Sequence, residues 1–303
     1  MYSWGPSTDD WAKPGAYSFD PARKAAMEKD AADAAKKGGR TYLAGKNAPD
    51  LELADPRGKR LRTDSKNPIL VAVDVTGSMA HWPAEIFDRL PLLYQTLSQY
   101  REDVALSFAA IGDATCDRHP LQVTDFAHGA ALDERLAALW GEGGGGGGAK
   151  ESYELYAWFV QNRVSTPEAE KPFLIIYGDE GFYPEVDPKQ VRHYVGASLE
   201  GPVSSRAVFR DLMARYEVYL LRKSYGSAAD DARIKEQWAD ALEPQRIIPV
   251  LDEQRAVDLA LGLIARAWGR FDDFEENMKA RQPLAKVKEL ANSLDARSRR
   301  RRA

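Results

Sequence analysis

The sequence is short of cysteine, of net charge and of long apolar runs, and each shortage excludes a class of protein. Its one cysteine, Cys116, excludes an internal disulfide framework and favours a reducing compartment, so we expect a cytoplasmic protein. Lys+Arg total 42 and Asp+Glu 46 among 303 residues. Because this balance creates no bulk attraction for polyanions, we expect no membrane partner and no general binding of nucleic acid.

Long apolar segments are missing from the sequence as well. No stretch approaches the roughly 20 apolar residues that cross a membrane as a helix. The first residues, Met1 to Pro6 followed by Asp9 and Asp10, lack the basic region and the apolar run of a signal peptide. Both observations predict a soluble, intracellular protein.

The composition changes along the chain and divides it into three regions. Residues 1–66 are rich in Pro, Gly, Ala and charge, and we expect an N-terminal extension that is partly disordered or docks as a hairpin. A short helix is predicted over residues 21–37, and the hairpin would turn at residues 56–58. Residues 67–270 are predicted to form the main domain, and residues 271–303 a charged C-terminal helix with an arginine-rich tail.

Short β-branched runs alternate with helical spacing from residue 67 onward, which is typical of βαβ units. One helical pattern contains Pro91, which is expected to kink that helix or restart it. The sequence predicts an α/β fold with a doubly wound, mainly parallel six-stranded Rossmann-like sheet. The strands are expected over residues 69–73, 104–111, 121–126, 173–177, 218–221 and 247–250, and the helices over residues 86–97, 132–139, 152–162, 230–242 and 256–268.

Two aspartates follow strands that a doubly wound sheet places side by side. Asp74 comes at the end of the first predicted strand, and Asp179 follows the strand over residues 173–177. Such sheets bind ligands at the carboxyl ends of their strands, where the direction of the connections reverses. Thr76 and Ser78 alternate in the loop after Asp74, so both hydroxyls can turn to one side. Because Mg²⁺ prefers oxygen ligands of these kinds, the sequence predicts a divalent-cation site.

The surroundings of this site predict how the cation would be used. A helix that starts near Ala80 would direct the positive end of its dipole at the ion. Hydroxyl ligands are neutral and leave the ion electrophilic, so we expect it to complete its shell with an Asp or Glu of a partner protein. Asp113, after the second strand, is expected to support the site, whereas Glu180 is expected on its rim.

The segment Asp74-Val75-Thr76-Gly77-Ser78-Met79 after an apolar strand resembles a known metal-binding motif. It looks like the first part of the metal-ion-dependent adhesion site of von Willebrand factor A (VWA) domains, in the variant with threonine at the second position. By element order, the resemblance covers residues 67–268. It implies a VWA fold, a bound Mg²⁺ or else Mn²⁺ or Ca²⁺, and Asp179 as the ligand that follows the fourth strand.

The sequence departs from this family in the loop that usually supplies a threonine ligand. The corresponding residues 147–154 include Glu151 and Ser152, and either of them is expected to replace the threonine, directly or through water. The resemblance further implies a scaffold or adaptor that is not an enzyme. It suggests a partnership with AAA+ ATPases of the MoxR type, as in intracellular bacterial relatives.

Two other functions compete with cation-dependent protein binding. A haloacid dehalogenase-type phosphohydrolase would use Asp74 as its nucleophile and Asp179 as a magnesium ligand. That chemistry needs a lysine near the phosphate and a second acid shortly after Asp179, but Lys171 lies at the wrong end of its strand and the next aspartate is Asp187. The third class is a purely structural interaction module with a degenerate site, and the intact hydroxyls argue against it.

Overall fold

The computed structural model of the protein describes residues 48–141 and 148–298, with side chains described as far as residue 294. The helix predicted over residues 21–37 and the arginines from residue 299 onward lie outside the described residues. Within the described ranges, none of the helices combines the length and the apolar character that a membrane crossing requires.

A six-stranded, mostly parallel sheet forms the centre of this mixed α/β protein. Its strands lie side by side in the order β3-β2-β1-β4-β5-β6, and only β3 runs antiparallel to its neighbour. The strands are β1 (Asn67–Asp74), β2 (Val104–Ile111), β3 (Leu121–Val123), β4 (Phe173–Gly178), β5 (Glu217–Arg222) and β6 (Ile247–Pro249). All six strands expected from the sequence are therefore present, with small differences at their ends.

The central strands are apolar because both faces of the sheet are covered. All eight residues of β1 and all eight of β2 are buried, as is usual for parallel strands between two helical layers. Alternate side chains of β1 point to opposite faces of the sheet. Ile69, Val71 and Val73 belong to a first hydrophobic cluster, and Leu70 and Ala72 to a second one.

Helices pack on both faces of the sheet. Helices α1, α2, α6, α7 and α8 contribute to the first cluster, and helices α3, α4 and α5 to the second. Helix α1 continues through Pro91 without a break, so the restart expected there is not found. The helices are α1 (Trp82–Tyr100), α2 (Ala131–Ala138), α3 (Tyr153–Arg163), α4 (Ser205–Arg215), α5 (Ala228–Ala241), α6 (Ala256–Ala267), α7 (Phe271–Arg281) and α8 (Leu284–Ser298).

The segment before β1 differs from the expected hairpin. Asp50 accepts a hydrogen bond from the Glu52 amide and caps a short helix, Leu51–Ala54. After the turn, Leu61–Arg62 pairs in parallel with Val164–Ser165, a partner far away in sequence. Leu51 and Leu53 thus lie in a short helix, and Leu61 lies in a strand that pairs with a distant segment. These residues do not form a hairpin with one another.

The region after β6 also differs from expectation, because it forms two packed helices and not one charged helix. Phe274 and Met278 of α7 and Leu294 of α8 are buried in the first cluster. They approach α6 closely at Gly262, where a Cβ atom would lie 2.3 Å from Leu294 Cδ1. These helices are therefore part of the core.

Short elements complete the described chain. Lys150–Glu151 pairs in parallel with Gly181–Phe182, and Glu185–Val186 pairs with Val203–Ser204 in antiparallel fashion. The remaining elements are the 3-10 turns Gly77–Met79, Pro244–Arg246 and Glu253–Arg255, the short helix Pro188–Gln190 and the π-helical turn Val191–Val195.

Candidate functional site

The carboxyl ends of β1 and β4 bring together the four residues that the sequence singles out. Val73 is paired with Tyr177, so Asp74 and Asp179 leave neighbouring strands at the same edge. The Thr76 hydroxyl donates to Asp74 Oδ1 at 2.6 Å and lies 3.4 Å from the Ser78 hydroxyl. Ser78 in turn donates to Asp179 Oδ1 at 2.8 Å. One hydrogen-bonded chain of oxygens therefore connects the two aspartates; we call these four residues the aspartate–hydroxyl chain.

Asp74 is held at both carboxylate oxygens although it is fully buried. Its Oδ1 accepts from the amide as well as the hydroxyl of Thr76, and its Oδ2 accepts from the Tyr153 hydroxyl at 2.5 Å. Burial, and secondly the nearby charge of Asp179, raise the pKa of Asp74 to about 6. The carboxylate is thus fixed in position but costly to ionise.

Tyr153 is a site residue that sequence reasoning missed, and its place depends on Gly178. A Cβ atom at Gly178 would lie 2.0 Å from the Tyr153 hydroxyl, so only glycine admits the phenol there. The ring packs edge-on against Trp238 at 5.4 Å between centroids. Tyr153 lies within the loop segment already suspected of supplying a ligand, but its contact with Asp74 depends on how its ring packs against Gly178 and Trp238.

Lys223 is the second residue that the sequence analysis missed. It follows β5, and its Nζ donates to Asp179 Oδ2 at 3.0 Å and to the Ser78 carbonyl. The side chain is 22% exposed and lies 5.9 Å from the centre of the Trp82 ring. The rule that predicted Asp179 would have predicted Lys223 too, since both follow adjacent parallel strands at the same edge.

Glu151 and Ser152, the alternatives left open for the loop ligand, have different surroundings. The Ser152 hydroxyl accepts from the Ala114 amide at 2.8 Å and so supports the loop after β2. Glu151 is 1% exposed, and its Oε2 has no hydrogen-bond partner among the described residues. Burial first, and then the charge of Asp74, raise the pKa of Glu151 to about 12. Glu151 therefore has a free oxygen, whereas the Ser152 hydroxyl is engaged.

Glu180 was expected on the rim, but the structure buries it. Its carbonyl accepts from the Trp238 indole at 2.8 Å, which fixes this part of the chain against α5. Burial and the charge of Asp74 raise its pKa to about 7, while side-chain hydrogen bonds with Ser78 and Glu151 act in the opposite direction. Glu180 thus lies between the aspartate–hydroxyl chain and Glu151.

Asp113 also lies at this edge, at the end of β2, and is buried. Its carboxylate accepts from the Tyr183 hydroxyl at 3.0 Å and from the Thr115 amide at 2.9 Å. Its charge contributes to the raised pKa of Glu151. Asp113 therefore influences the site through charge, and its hydrogen bonds lie to one side of the aspartate–hydroxyl chain.

The oxygen donors at this edge agree in chemical type with a hard divalent cation, which binds carboxylate, hydroxyl and carbonyl oxygens. Among the residues that the structure describes, no three His, Cys, Asp or Glu side chains are grouped as metal ligands. A cation here would therefore depend on the hydroxyls of Thr76 and Ser78 as well as on carboxylates. The free oxygen of Glu151 is a further donor of the suitable kind.

Comparison with known proteins yields no established relative. No protein-family model matches the sequence, and no curated protein does so. Among solved structures, the pilus adhesin SpaC from Lactobacillus rhamnosus GG is 12% identical, with a TM-score of 0.48 over 70% of this chain and 32% of that protein. Proximal thread matrix protein 1 from the mussel byssus is 10% identical, with a TM-score of 0.45 over 67% of this chain and 48% of that protein.

These structural similarities are too low to support a conclusion about fold or function. The present chain also spans less than half the length of either protein.

Proposed function

We propose that the protein is a cytoplasmic VWA domain that binds a partner protein through a divalent cation. The aspartate–hydroxyl chain carries this proposal, because it unites the two aspartates and two hydroxyls of the suspected motif at one edge of the sheet. The strand order, the single antiparallel strand β3 and the helices on both faces also agree with a doubly wound, Rossmann-like VWA fold.

Each residue of the site has a defined part in this proposal. Tyr153 and Thr76 hold the Asp74 carboxylate in one orientation, and burial keeps water away from it. Ser78 is partly exposed and presents its hydroxyl toward Asp179. A bound Mg²⁺, or alternatively Mn²⁺ or Ca²⁺, would supply the positive charge that attracts a carboxylate.

The electrostatics favour a cation at this edge. Asp74, Glu151 and Glu180 are buried near one another, and the pKa of each is raised by burial and by neighbouring acids. Such crowding of acids is typical of functional sites, because it costs stability unless positive charge offsets it. Between the two candidates for the loop ligand, the free Oε2 of Glu151 favours Glu151.

The partner would be a protein that presents an Asp or Glu side chain. In this proposal the protein is a scaffold or adaptor without catalysis of its own. A MoxR-type AAA+ ATPase is the partner that the family resemblance suggests, and it belongs to the proposal only through that resemblance.

Calorimetric titration of Mg²⁺ and Mn²⁺ into the wild type and Asp74→Ala tests the cation site. We expect the wild type to bind and Asp74→Ala to lose more affinity than the about 10–100-fold that removal of a supporting group costs. Asp64→Ala is the matched control, since it removes an exposed aspartate paired with Arg62 outside the site. Equal binding by all three proteins would contradict the proposal.

The interaction itself is tested by capture of a partner with and without EDTA. We expect capture by the wild type to depend on the cation and capture by Asp74→Ala to be lost. Capture that is unchanged by EDTA would favour a purely structural interaction module.

A second candidate, the phosphohydrolase, gains support from Lys223, which supplies a lysine beside Asp179. Other observations oppose it. Both oxygens of Asp74, the required nucleophile, accept hydrogen bonds in a fully buried position. Lys171 pairs with Glu217 at the far end of the sheet, and Asp187 caps the short helix at Pro188. Trapping of an aspartyl-phosphate analogue with beryllium fluoride would decide for this alternative.

A further inference from the structure

The position of Lys223 has a consequence for the cation site beyond the residues that bind the ion. Its ammonium contacts two oxygens, Asp179 Oδ2 and the Ser78 carbonyl. Carboxylate and carbonyl oxygens are also the ligands that hard divalent cations take. The lysine thus already places a positive charge on donors that belong to the aspartate–hydroxyl chain.

The backbone around Lys223 fixes where its side chain begins. The Lys223 amide donates to the Gly178 carbonyl at 3.1 Å, which extends the ladder between β5 and β4 by one residue. The neighbouring Arg222 is directed elsewhere: its guanidinium pairs with Asp231 at 2.5 Å and reaches only the Asp179 carbonyl, at 3.4 Å. Within the described parts of the chain, Lys223 is therefore the cationic side chain paired with the carboxylate of Asp179.

Competition follows from charge and from the shared carboxylate. A divalent cation that approaches Asp179 would meet the ammonium at close range, and two positive charges repel most strongly where burial limits screening. The lysine is only 22% exposed, so water screens the repulsion incompletely. The ion must either displace the ammonium or bind against its charge.

We propose that Lys223 acts as a tethered cation, which competes with the divalent cation for Asp179 and thereby sets the metal affinity of the site. This inference rests on the proposed function. The competing interpretation is that Lys223 only positions Asp179, in which case its removal would weaken metal binding.

The test compares metal binding by the wild type, Lys223→Met and Lys171→Met. Lys171→Met is the matched control, because it removes the same charge from a lysine–carboxylate pair at the opposite end of the sheet. In calorimetric titrations with Mn²⁺ and Mg²⁺, we expect Lys223→Met to bind at least about tenfold more tightly than the wild type. Lys171→Met should bind like the wild type.

Thermal unfolding provides a second test of the same competition. In EDTA, Lys223→Met should unfold at a lower temperature than the wild type, because Asp179 loses its counter-charge in a buried position. Saturating Mn²⁺ should raise the unfolding temperature of Lys223→Met by more than that of the wild type. If Lys223→Met does not fold, Lys223→Gln removes the charge but keeps a donor for the Ser78 carbonyl, and the same gain in affinity is expected.

The outcomes separate this inference from the proposed function. Metal binding by the wild type with equal or weaker binding by Lys223→Met would overturn the inference alone. Binding by Lys223→Met but not by the wild type would support the inference and contradict metal binding by the native chain. No binding by either protein would overturn the cation site and the inference together.

Discussion

The two ends of the central strands treat polar side chains in opposite ways. At the amino ends, Arg101 donates to the Asn67 side chain at 3.1 Å and to Glu170 at 3.0 Å, and the Asn67 amide donates to the Glu102 carbonyl. There a partly exposed arginine pairs with an exposed glutamate, and the buried Asn67 has hydrogen-bond partners for its side chain. At the carboxyl ends, the acids Asp74, Asp179, Glu180 and Glu151 are buried together, and one lysine pairs with Asp179.

This difference shows that the carboxyl ends of the strands, and not the amino ends, lower the stability of the fold. Exposed ion pairs such as Arg101 with Glu170 contribute little and cost little. Buried acids in a group raise one another's pKa and oppose folding, a property that functional sites often share. The contrast between the two ends therefore supports the binding site proposed at the carboxyl ends.

Among the substitutions that test this comparison, Gly178→Ala should lower the free energy of unfolding the most. The added methyl group would lie 2.0 Å from the Tyr153 hydroxyl, and the fully buried ring has Trp238 against it. We expect the free energy of unfolding in urea to fall by about 3 kcal/mol, the upper part of the usual range for overpacking. Cation binding should weaken as well, because the displaced phenol no longer holds Asp74.

Gly226→Ala is the matched control for this substitution. Gly226 follows β5 at the same end of the sheet, and a Cβ atom there would meet nothing within 4 Å. We expect its unfolding free energy to stay within about 0.5 kcal/mol of the wild type. Equal losses from both substitutions would mean that the tight contact with Tyr153 does not organise the site.

The buried acids at the carboxyl ends should make the stability of the protein depend on pH. Burial and neighbouring acids raise the pKa of Glu180 from 4.5 to about 7 and that of Asp74 from 3.8 to about 6. The folded protein therefore binds more protons than the unfolded chain between these values. Their contribution to stability is present below pH 4 and is lost as the pH rises through 6 and 7. In EDTA, we expect about 3 kcal/mol more stability at pH 5 than at pH 7, since each linked proton is worth about 1.4 kcal/mol per pH unit and the two groups act over much of this range.

Two glutamate-to-glutamine substitutions test whether this pH dependence arises at the carboxyl ends of the strands. Glu180→Gln should reduce the difference in unfolding free energy between pH 5 and pH 7, because it removes one of the titrating groups. Glu170→Gln makes the same change in the exposed pair at the amino ends and should leave the difference as it is in the wild type. A wild-type stability that rises from pH 5 to pH 7 would contradict the predicted sign.

Tyr153→Phe should have the smallest of these effects. It leaves the buried Oδ2 of Asp74 without the phenol donor, which should cost about 1.5 kcal/mol of unfolding free energy. Tyr156→Phe on the same helix is the control, since the Tyr156 hydroxyl is buried without a hydrogen-bond partner in the described part of the chain. Chemical denaturation should show a loss for Tyr153→Phe alone; equal effects would mean that the contact with Asp74 adds nothing.

The sheet could be predicted from the sequence because its strands are buried on both faces. Runs such as residues 104–111 and 173–177 have no polar alternation and stop at turns, so their position and type were clear. The hairpin before β1 was wrong because the partner of Leu61–Arg62 is Val164–Ser165, and no local signal reports a pairing over that distance.

The site was predictable in part, for a related reason. Asp74, Thr76, Ser78 and Asp179 follow strands whose neighbours a doubly wound sheet fixes in advance. Lys223 follows the same rule and could have been found. The roles of Tyr153 and Glu180 depend on side-chain packing against Gly178 and Trp238, which spacing along the chain does not encode.

Gly262 gives the C-terminal helices a practical meaning for any division of this protein into pieces. The missing side chain makes a groove in α6 that Phe274 and Leu294 fill. A fragment that stops after the sheet and α6 would expose this groove and the apolar residues beside it to water. An exposed apolar patch of this kind promotes aggregation. The smallest portion worth expressing therefore runs through residue 294, well past the last strand.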